Sequence, residues 1–311
     1  MQKWFANNKN EEEPAAPLVV EEDETAVTVP REAWALEDTQ KILAGRPAAE
    51  PAAAEPMIQV VRRSHLGAVR ERNEDSCLAF VSLTGGQEPL PPLGLFVVAD
   101  GMGGHQAGHE ASRLVSRLVG AHVLSRLYLP LLQNPAAPPH PVQEVMVEAV
   151  QQAHLGLQQS DPGRDSGTTL TAALMVGRRL YLAHVGDSRA YLLSDGLMEL
   201  LTTDHSHVRR LQDSGQLTDE EAAVHPYRNI LYRAVGQGSE LEVDTFTRSL
   251  PATGRLLLCS DGLWGLLTAD LLEKIARQSG PLAEVADELV DAAIAAGGHD
   301  NVTAVLVDFA F

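Results

Sequence analysis

Three aspartates in this 311-residue chain stand where a fold can present them to a ligand: Asp100, Asp187 and Asp261 each follow, directly or within one residue, an apolar strand-like run, in LFVVAD, LAHVGD and LLLCSD. Asp100 and Asp261 are followed by glycine. A single Asp-Gly is an ordinary turn signal, because Asp bonds nearby backbone groups and Gly accepts positive φ. Three strand ends of this kind, joined by Glu74 and Asp75 in RNEDS and by Asp300 in GGHDNVT, are more than turns alone explain. Carboxylate oxygens are hard ligands suited to Mg2+ or Mn2+, and gathering so many acids without matching bases is costly unless cations neutralise them. The pattern predicts a two-metal site. Two such ions about 3.5–4 Å apart share a bridging water, lower its pKa toward neutrality and hold a phosphoryl oxygen opposite it, an arrangement for in-line hydrolysis of a phosphate ester. Arg70, just before Asn73-Glu74-Asp75, is the candidate for holding that phosphate, since a guanidinium fork matches two of its oxygens. An ordinary surface ion pair is the alternative reading of Arg70.

Positioning these groups requires a sheet whose strand ends converge. Strands are predicted over 57–63, 76–83, 93–100, 170–177, 179–186, 189–196, 241–249, 255–262 and 302–310, several joined by short Gly- or Asp-containing turns that favour antiparallel pairing. Helices are predicted over 107–127, 141–158, 268–278 and 281–296; in the first, Ala111, Leu114, Val115, Leu118 and Val119 share one face. TDEE at 218–221 has capping-box spacing and opens a short helix. LYLPLLQNPAAPPHP at 127–141 reads as a Pro-rich surface loop. Strands and helices come in groups instead of strict alternation, which predicts antiparallel sheets covered by helices.

Composition narrows the partners. A net charge of -18 repels nucleic-acid phosphates and anionic lipid, and no Lys/Arg cluster with interleaved aromatics opposes it, so neither nucleic acid nor membrane is an expected partner. The two cysteines, Cys77 and Cys259, lie in apolar runs outside any zinc-like spacing and read as buried, reduced thiols of a cytoplasmic protein. No signal-peptide-like core and no stretch approaching 18 apolar residues is present, so export by that route and membrane spanning are not expected. Residues 1–56 carry the acidic runs Glu11-Glu12-Glu13 and Glu21-Glu22-Asp23-Glu24 and end in RPAAEPAAAEP, the texture of a disordered tail and Pro/Ala linker. EAWALEDTQKIL at 32–43 could form a helical turn or two and dock a partner or the chain's own domain; a merely solubilising tail is the simpler alternative.

In order, SHLGAVRERNEDS (64–76), VVADGMGGHQAG (97–108), SGTTLTAAL (166–174), LAHVGDSRAYLL (182–193), the segment 201–236, LLLCSDGLWGLL (256–267) and GGHDNVTAVLV (297–307) resemble the successive motifs of the metal-dependent serine/threonine protein phosphatases, the type-2C or PPM family, in their bacterial form. The resemblance implies an α+β fold, a four-layer αββα sandwich of two antiparallel sheets flanked by helix pairs, over a domain spanning 57–311. It implies two Mn2+ or Mg2+ ions. Asp100 would bridge them, Glu74 and the Gly101 carbonyl would complete one shell, and Asp261 and Asp300 the other. Asp75 would hold metal-bound water, Arg70 the substrate phosphate, and Asp187 with Asp261 a third, weaker site. Asn301 would orient Asp300. The implied substrates are phosphoserine and phosphothreonine proteins, opposite a cognate kinase, with the enzyme a monomer. Segment 201–236 corresponds to a flap beside the active site, where Arg209, Arg210 and Arg228 could meet acidic or phosphorylated substrate or could simply face solvent.

One position departs from the pattern. Members reading Asp-Gly-His-Gly-Gly offer a histidine as general acid where this chain has Met102, leaving metal-bound water, His105 or no dedicated group to protonate the leaving oxygen. Two other readings stay open: a phosphatase-like scaffold or binding module, against which the full set of carboxylates argues, and a hydrolase of small phosphoesters.

Overall fold

The computed structural model describes residues 55–311 apart from Glu88, 104–105, 135–139, 161–165, 219–220 and 223–224. His105 and the helical turn expected at 32–43 lie outside the described residues.

Two antiparallel sheets dominate. One runs in the order β1 (Met57–His65), β11 (Val302–Ala310), β10 (Thr253–Cys259), β7 (Arg189–Ser194), β8 (Leu197–Leu200). The other runs β2 (Asp75–Ser82), β3 (Leu93–Met102), β5 (Leu170–Val176), β6 (Arg179–Val185), β9 (Asp244–Ser249), with the two-residue β4 (Gly167–Thr168) added against β3. The helices are α1 (Gln106–Val123), α2 (Leu129–Gln133), α3 (Val142–Ser160), α4 (His207–Asp213), α5 (Asp261–Trp264), α6 (Ala269–Ala276) and α7 (Leu282–Ala295).

Side-chain alternation along the central strands builds four layers. In β3, Leu95, Val97 and Ala99 join the core beneath α1 and α3, whereas Phe96 and Val98 join the core between the sheets. In β10, Leu257 and Cys259 face α6 and α7, while Leu256 and Leu258 turn to the same inter-sheet core. Strands buried on both faces read as near-continuous apolar runs, which is how LGLFVVA and RLLLC read in the sequence. The helices answer with one apolar stripe each: Ala111, Val115, Val119 and Val123 in α1, and Leu282, Val285, Ala286, Leu289, Val290 and Ala293 in α7.

The differences from expectation are local. The helix from Gln106 passes at Leu124–Tyr128 into a π-helical turn, and α2 follows directly, so residues 127–133, expected within a Pro-rich surface loop, are helical, while 135–139 of that segment lie outside the described residues. Pro130, with no N–H to give to the preceding turn, falls where this continuous helical run passes from π to α. The strand expected over 255–262 stops at Cys259, and Ser260 turns the chain into α5. The capping box is formed: Thr218 N donates to Glu221 Oε2 at 2.9 Å and Glu221 N to Thr218 Oγ1 at 3.3 Å.

Candidate active site

Antiparallel pairing brings the acid-bearing strand ends to one edge of the sandwich. Asp75 opens β2 and lies directly opposite Asp100 near the end of β3. Asp187 follows β6, Asp261 follows β10, and Asp300 precedes β11. Arg70, Glu74, Asp100, Gly101, Met102, Asp187, Asp261, Asp300 and Asn301 all line one cavity of about 450 Å³, with Asn229 and Leu231 contributed from the 201–236 segment. Asp75 lies under this lining, 8% exposed. Arg209, Arg210 and Arg228 do not line it; Arg209 pairs with Asp213 one turn along α4, and Arg210 covers the Tyr232 ring.

Hydrogen bonds hold each acid from behind. Thr169 Oγ1 accepts from Asp100 N at 2.9 Å, while Thr169 N and Thr168 Oγ1 both donate to the Asp100 carbonyl at 2.8 Å. The Ser260 hydroxyl accepts from Thr303 N at 3.0 Å and donates to Asp75 Oδ2 at 2.7 Å. Asn301 does more than the expected orienting of Asp300. Its backbone N–H reaches Asp300 Oδ1 at 2.8 Å, but its side-chain amide accepts from Glu74 N at 2.7 Å and donates to the carbonyls of Leu66 at 2.8 Å and Arg72 at 3.0 Å. One amide therefore shapes the whole loop carrying Arg70 and Glu74. Gly101 fits because a Cβ there would lie 2.1 Å from the Gly108 carbonyl oxygen and 2.7 Å from that of Glu74. A side chain would push α1 away from the acids.

The electrostatics are those of like charges brought together. Burial, then the neighbouring Asp261 and Asp300, push the Asp75 carboxyl up to about 7 despite its hydrogen bonds to Ser260 and Thr303. Burial and Asp300 push Asp261 up to about 6. Asp100 and Asp187 are also raised well above the usual carboxylate range, by burial and then by neighbouring acids. Asp75 Oδ1 and Asp261 Oδ1 are buried without a hydrogen-bond partner. Arg70 donates to Asp300 Oδ2 at 2.6 Å, so the ion pair weighed for it in the sequence does form. Among the described residues, no three His, Cys, Asp or Glu side chains close around a single point. The acids line a wall, and their orphaned oxygens and mutual repulsion are what hard cations relieve. The donor set fits such ions.

The fold that carries this edge of acids has known relatives. Residues 64–306 match the protein phosphatase 2C family. The chain belongs to that family. It is 37% identical over 247 residues to the serine/threonine phosphatase stp of Listeria innocua, covering 79% of this chain and 94% of that one. Against the serine/threonine protein phosphatase PstP of Mycobacterium tuberculosis it is 38% identical over 258 residues, which are 81% of this chain and 45% of that protein. Among solved structures, the serine/threonine phosphatase of S. agalactiae superposes with a TM-score of 0.67 at 31% identity, over 81% of this chain and 99% of that one. The catalytic domain of PstP, solved in complex with two manganese ions, superposes with a TM-score of 0.65 at 35% identity, over 82% and 99%.

Several supporting residues escape a sequence reading: Thr168, Thr169 and Ser260 behind the acids, and Asn229 and Leu231 in the cavity wall. Isolated Ser, Thr and Asn carry no periodic signal. The one available hint is SGTT immediately before the apolar run of β5, an unusual density of hydroxyls at a strand entrance.

Proposed function

We propose that this chain is a metal-dependent phosphatase that hydrolyses phosphoserine and phosphothreonine in proteins, opposing a serine/threonine kinase. The observation that carries the reading is the gathering of Glu74, Asp75, Asp100, Asp187, Asp261 and Asp300 at one sheet edge with two buried carboxylate oxygens unpartnered, and Arg70 at the opening. Asp100 is assigned to two divalent cations at once, Glu74 and the Gly101 carbonyl to one, Asp261 and Asp300 to the other, and Asp75 to the water around them. Asp187 with Asp261 is assigned to a weaker third site. An all-oxygen set suits Mg2+ or Mn2+ over softer metals. When bound, the cations supply an activated water and neutralise charge on the phosphoryl group.

The chain's own groups do the rest. Arg70 exchanges its bond to Asp300 for the substrate phosphate, holding it for in-line attack. Ser260 and Thr169 fix Asp75 and Asp100 so that the ligands need little rearrangement. Met102 lines the cavity but has no proton to give, so the leaving oxygen is not protonated from that position. Residues 57–311 form the catalytic domain, with 1–56 as a tail and linker available to a partner, and the enzyme works as a cytoplasmic monomer. Among the described residues no helix is long and apolar enough to cross a membrane.

The test is release of phosphate from phosphothreonine and phosphoserine peptides with Mn2+, with Mg2+ and with EDTA. Cation-dependent release from peptides supports the reading. Binding of phosphopeptide without turnover would establish a scaffold, and turnover of small phosphoesters alone would move the substrate class.

A further inference from the structure

Asp204 and His205, in LTTDHS, are 6% and 1% exposed, and nothing above gives them a role. Polar side chains so deeply buried require partners, and theirs converge on one short turn. The His205 backbone N–H donates to the Gly186 carbonyl at 2.7 Å, and the Gly186 N–H donates to His205 Nδ1 at 3.1 Å. With Nδ1 accepting, the ring proton of neutral His205 sits on Nε2, which faces Asp244 Oδ2 at 3.1 Å. Gly186 has φ +105°, and a Cβ there would stand 2.6 Å from Thr169 Cβ. The turn thus admits only glycine, has no side chain to stiffen it, and is held from outside by His205.

Asp204 grips the other side. It accepts two bonds from Arg189, at 3.0 and 2.7 Å, and the Arg189 guanidinium lies 3.5 Å from the centre of the Trp264 ring. The Trp264 indole N–H donates to the Asp187 carbonyl at 3.0 Å. The peptide units before and after Asp187 are therefore clamped through adjacent residues of a distant segment. That segment also reaches the cavity wall: Tyr232 N donates to the His205 carbonyl at 2.9 Å and His207 N to the Ile230 carbonyl at 2.8 Å, on either side of cavity-lining Leu231.

We propose that Asp204 and His205 are positioning residues that fix the Gly186–Arg189 turn, aim the Asp187 carboxylate into the cavity and tie it to the wall at Leu231. The inference rests on the assignment of Asp187 to a cation. Neither residue touches substrate. Partners that orient a metal ligand typically govern about 10–100-fold in metal affinity, which sets the size of the effect to look for.

Calorimetric titration of the full chain with Mn2+ alone tests this without reference to turnover. D187N is expected to remove or weaken the weakest Mn2+ binding step. H205A is expected to weaken that same step about tenfold or more, and H205N to recover it, because the Asn side-chain oxygen can accept from Gly186 N as Nδ1 does. W264F, which keeps the aromatic ring and deletes only the N–H to Asp187, is expected to weaken the step as well, and decides the matter should H205A not fold. If D187N alters Mn2+ binding while H205A and W264F do not, the positioning role is wrong. If H205N binds as poorly as H205A, His205 does not act through the turn. If D187N leaves every Mn2+ step intact, the assignment of Asp187 itself fails, and the inference with it.

Discussion

Asp204 and Asp244 sit beside Arg189, Arg233 and His205, whereas Asp75, Asp100, Asp187 and Asp261 sit beside one another, on the other side of the same turn. Residue type is constant across the two groups and the surroundings differ. Hydrogen bonding to His205, and then the hydrogen bond and charge of Arg233, draw the Asp244 carboxyl down to about 2 against its partial burial. Burial among like charges drives Asp75 up to about 7 and Asp261 up to about 6. An acid supplied with a partner by the chain, buried like Asp204 or exposed like Asp244, belongs to the fold; a group of buried acids set against one another calls for cations from outside. The contrast separates scaffold from site without appeal to which acids a motif names.

The largest test of that contrast is Asp100→Asn. Loss of a carboxylate assigned to both cations is expected to cost turnover more than the about 10–100-fold typical of residues that merely support a ligand. The same change should raise the melting temperature of the metal-free protein. Because the Asp100 carboxyl is raised in the fold, its ionised form opposes folding at neutral pH without cations. A variant that is inactive and less stable in EDTA would break the comparison. Asp204→Ala should do the reverse: by leaving Arg189 buried without its partner, it is expected to lower the unfolding free energy by about 3 kcal/mol. A loss no greater than the about 0–1 kcal/mol of a surface pair, in urea denaturation, would show that Asp204 is not holding the scaffold.

Much of the unpaired group was legible in the sequence, and little of the paired group was. Asp100, Asp187 and Asp261 close near-continuous apolar runs of strand length, so their place at strand ends follows from the run and where it stops. Their supports come from far along the chain: Asp100 leans on Thr169, 69 residues on, and Asp75 on Ser260, 185 residues on. No local pattern encodes such contacts. The arginines of 201–236, left open between substrate and solvent in the sequence, could not be placed for a related reason. Charge marks a residue as notable without fixing its direction, and the cavity takes Asn229 and Leu231 from that segment instead. β4 and β8 were missed because two and four residues are too few to establish alternation.

His184 extends the comparison to pH. Burial, then the nearby His205, lowers its ring to about 4 from an ordinary 6.5, so the fold holds it neutral. Its sign is therefore fixed: the stability it contributes is complete above pH 6.5 and is lost as pH falls from 6.5 to about 4, a loss of about 3 kcal/mol. The Asp244 contribution is lost only as pH falls from 3.8 through about 2, well outside that window. Urea denaturation of the wild type and His184→Gln from pH 7 to pH 4, in saturating divalent cation to hold the cavity acids ionised, should show a shallower decline for the variant. Parallel declines would mean that His184 is not buried as a neutral ring.

The smallest expected effect falls on the residue that belongs to both groups. Arg70 is a cation among the unpaired acids, yet it is about half exposed and bonds Asp300 through a single nitrogen. One guanidinium cannot neutralise that many carboxylates, and its exposure leaves it able to turn toward a ligand at the opening. If Arg70 holds substrate phosphate, Arg70→Ala removes a charge-assisted contact worth about 1.5–3 kcal/mol, which is about 10–100-fold, and the loss should fall on KM with kcat little changed. If instead its work is to steady Asp300, the same variant should lower kcat and weaken Mn2+ binding while KM for the phosphopeptide stays put. Arg70→Lys sharpens the choice: a lysine supplies charge without the planar fork, so a phosphate clamp is only partly restored, whereas simple neutralisation beside Asp300 is restored in full.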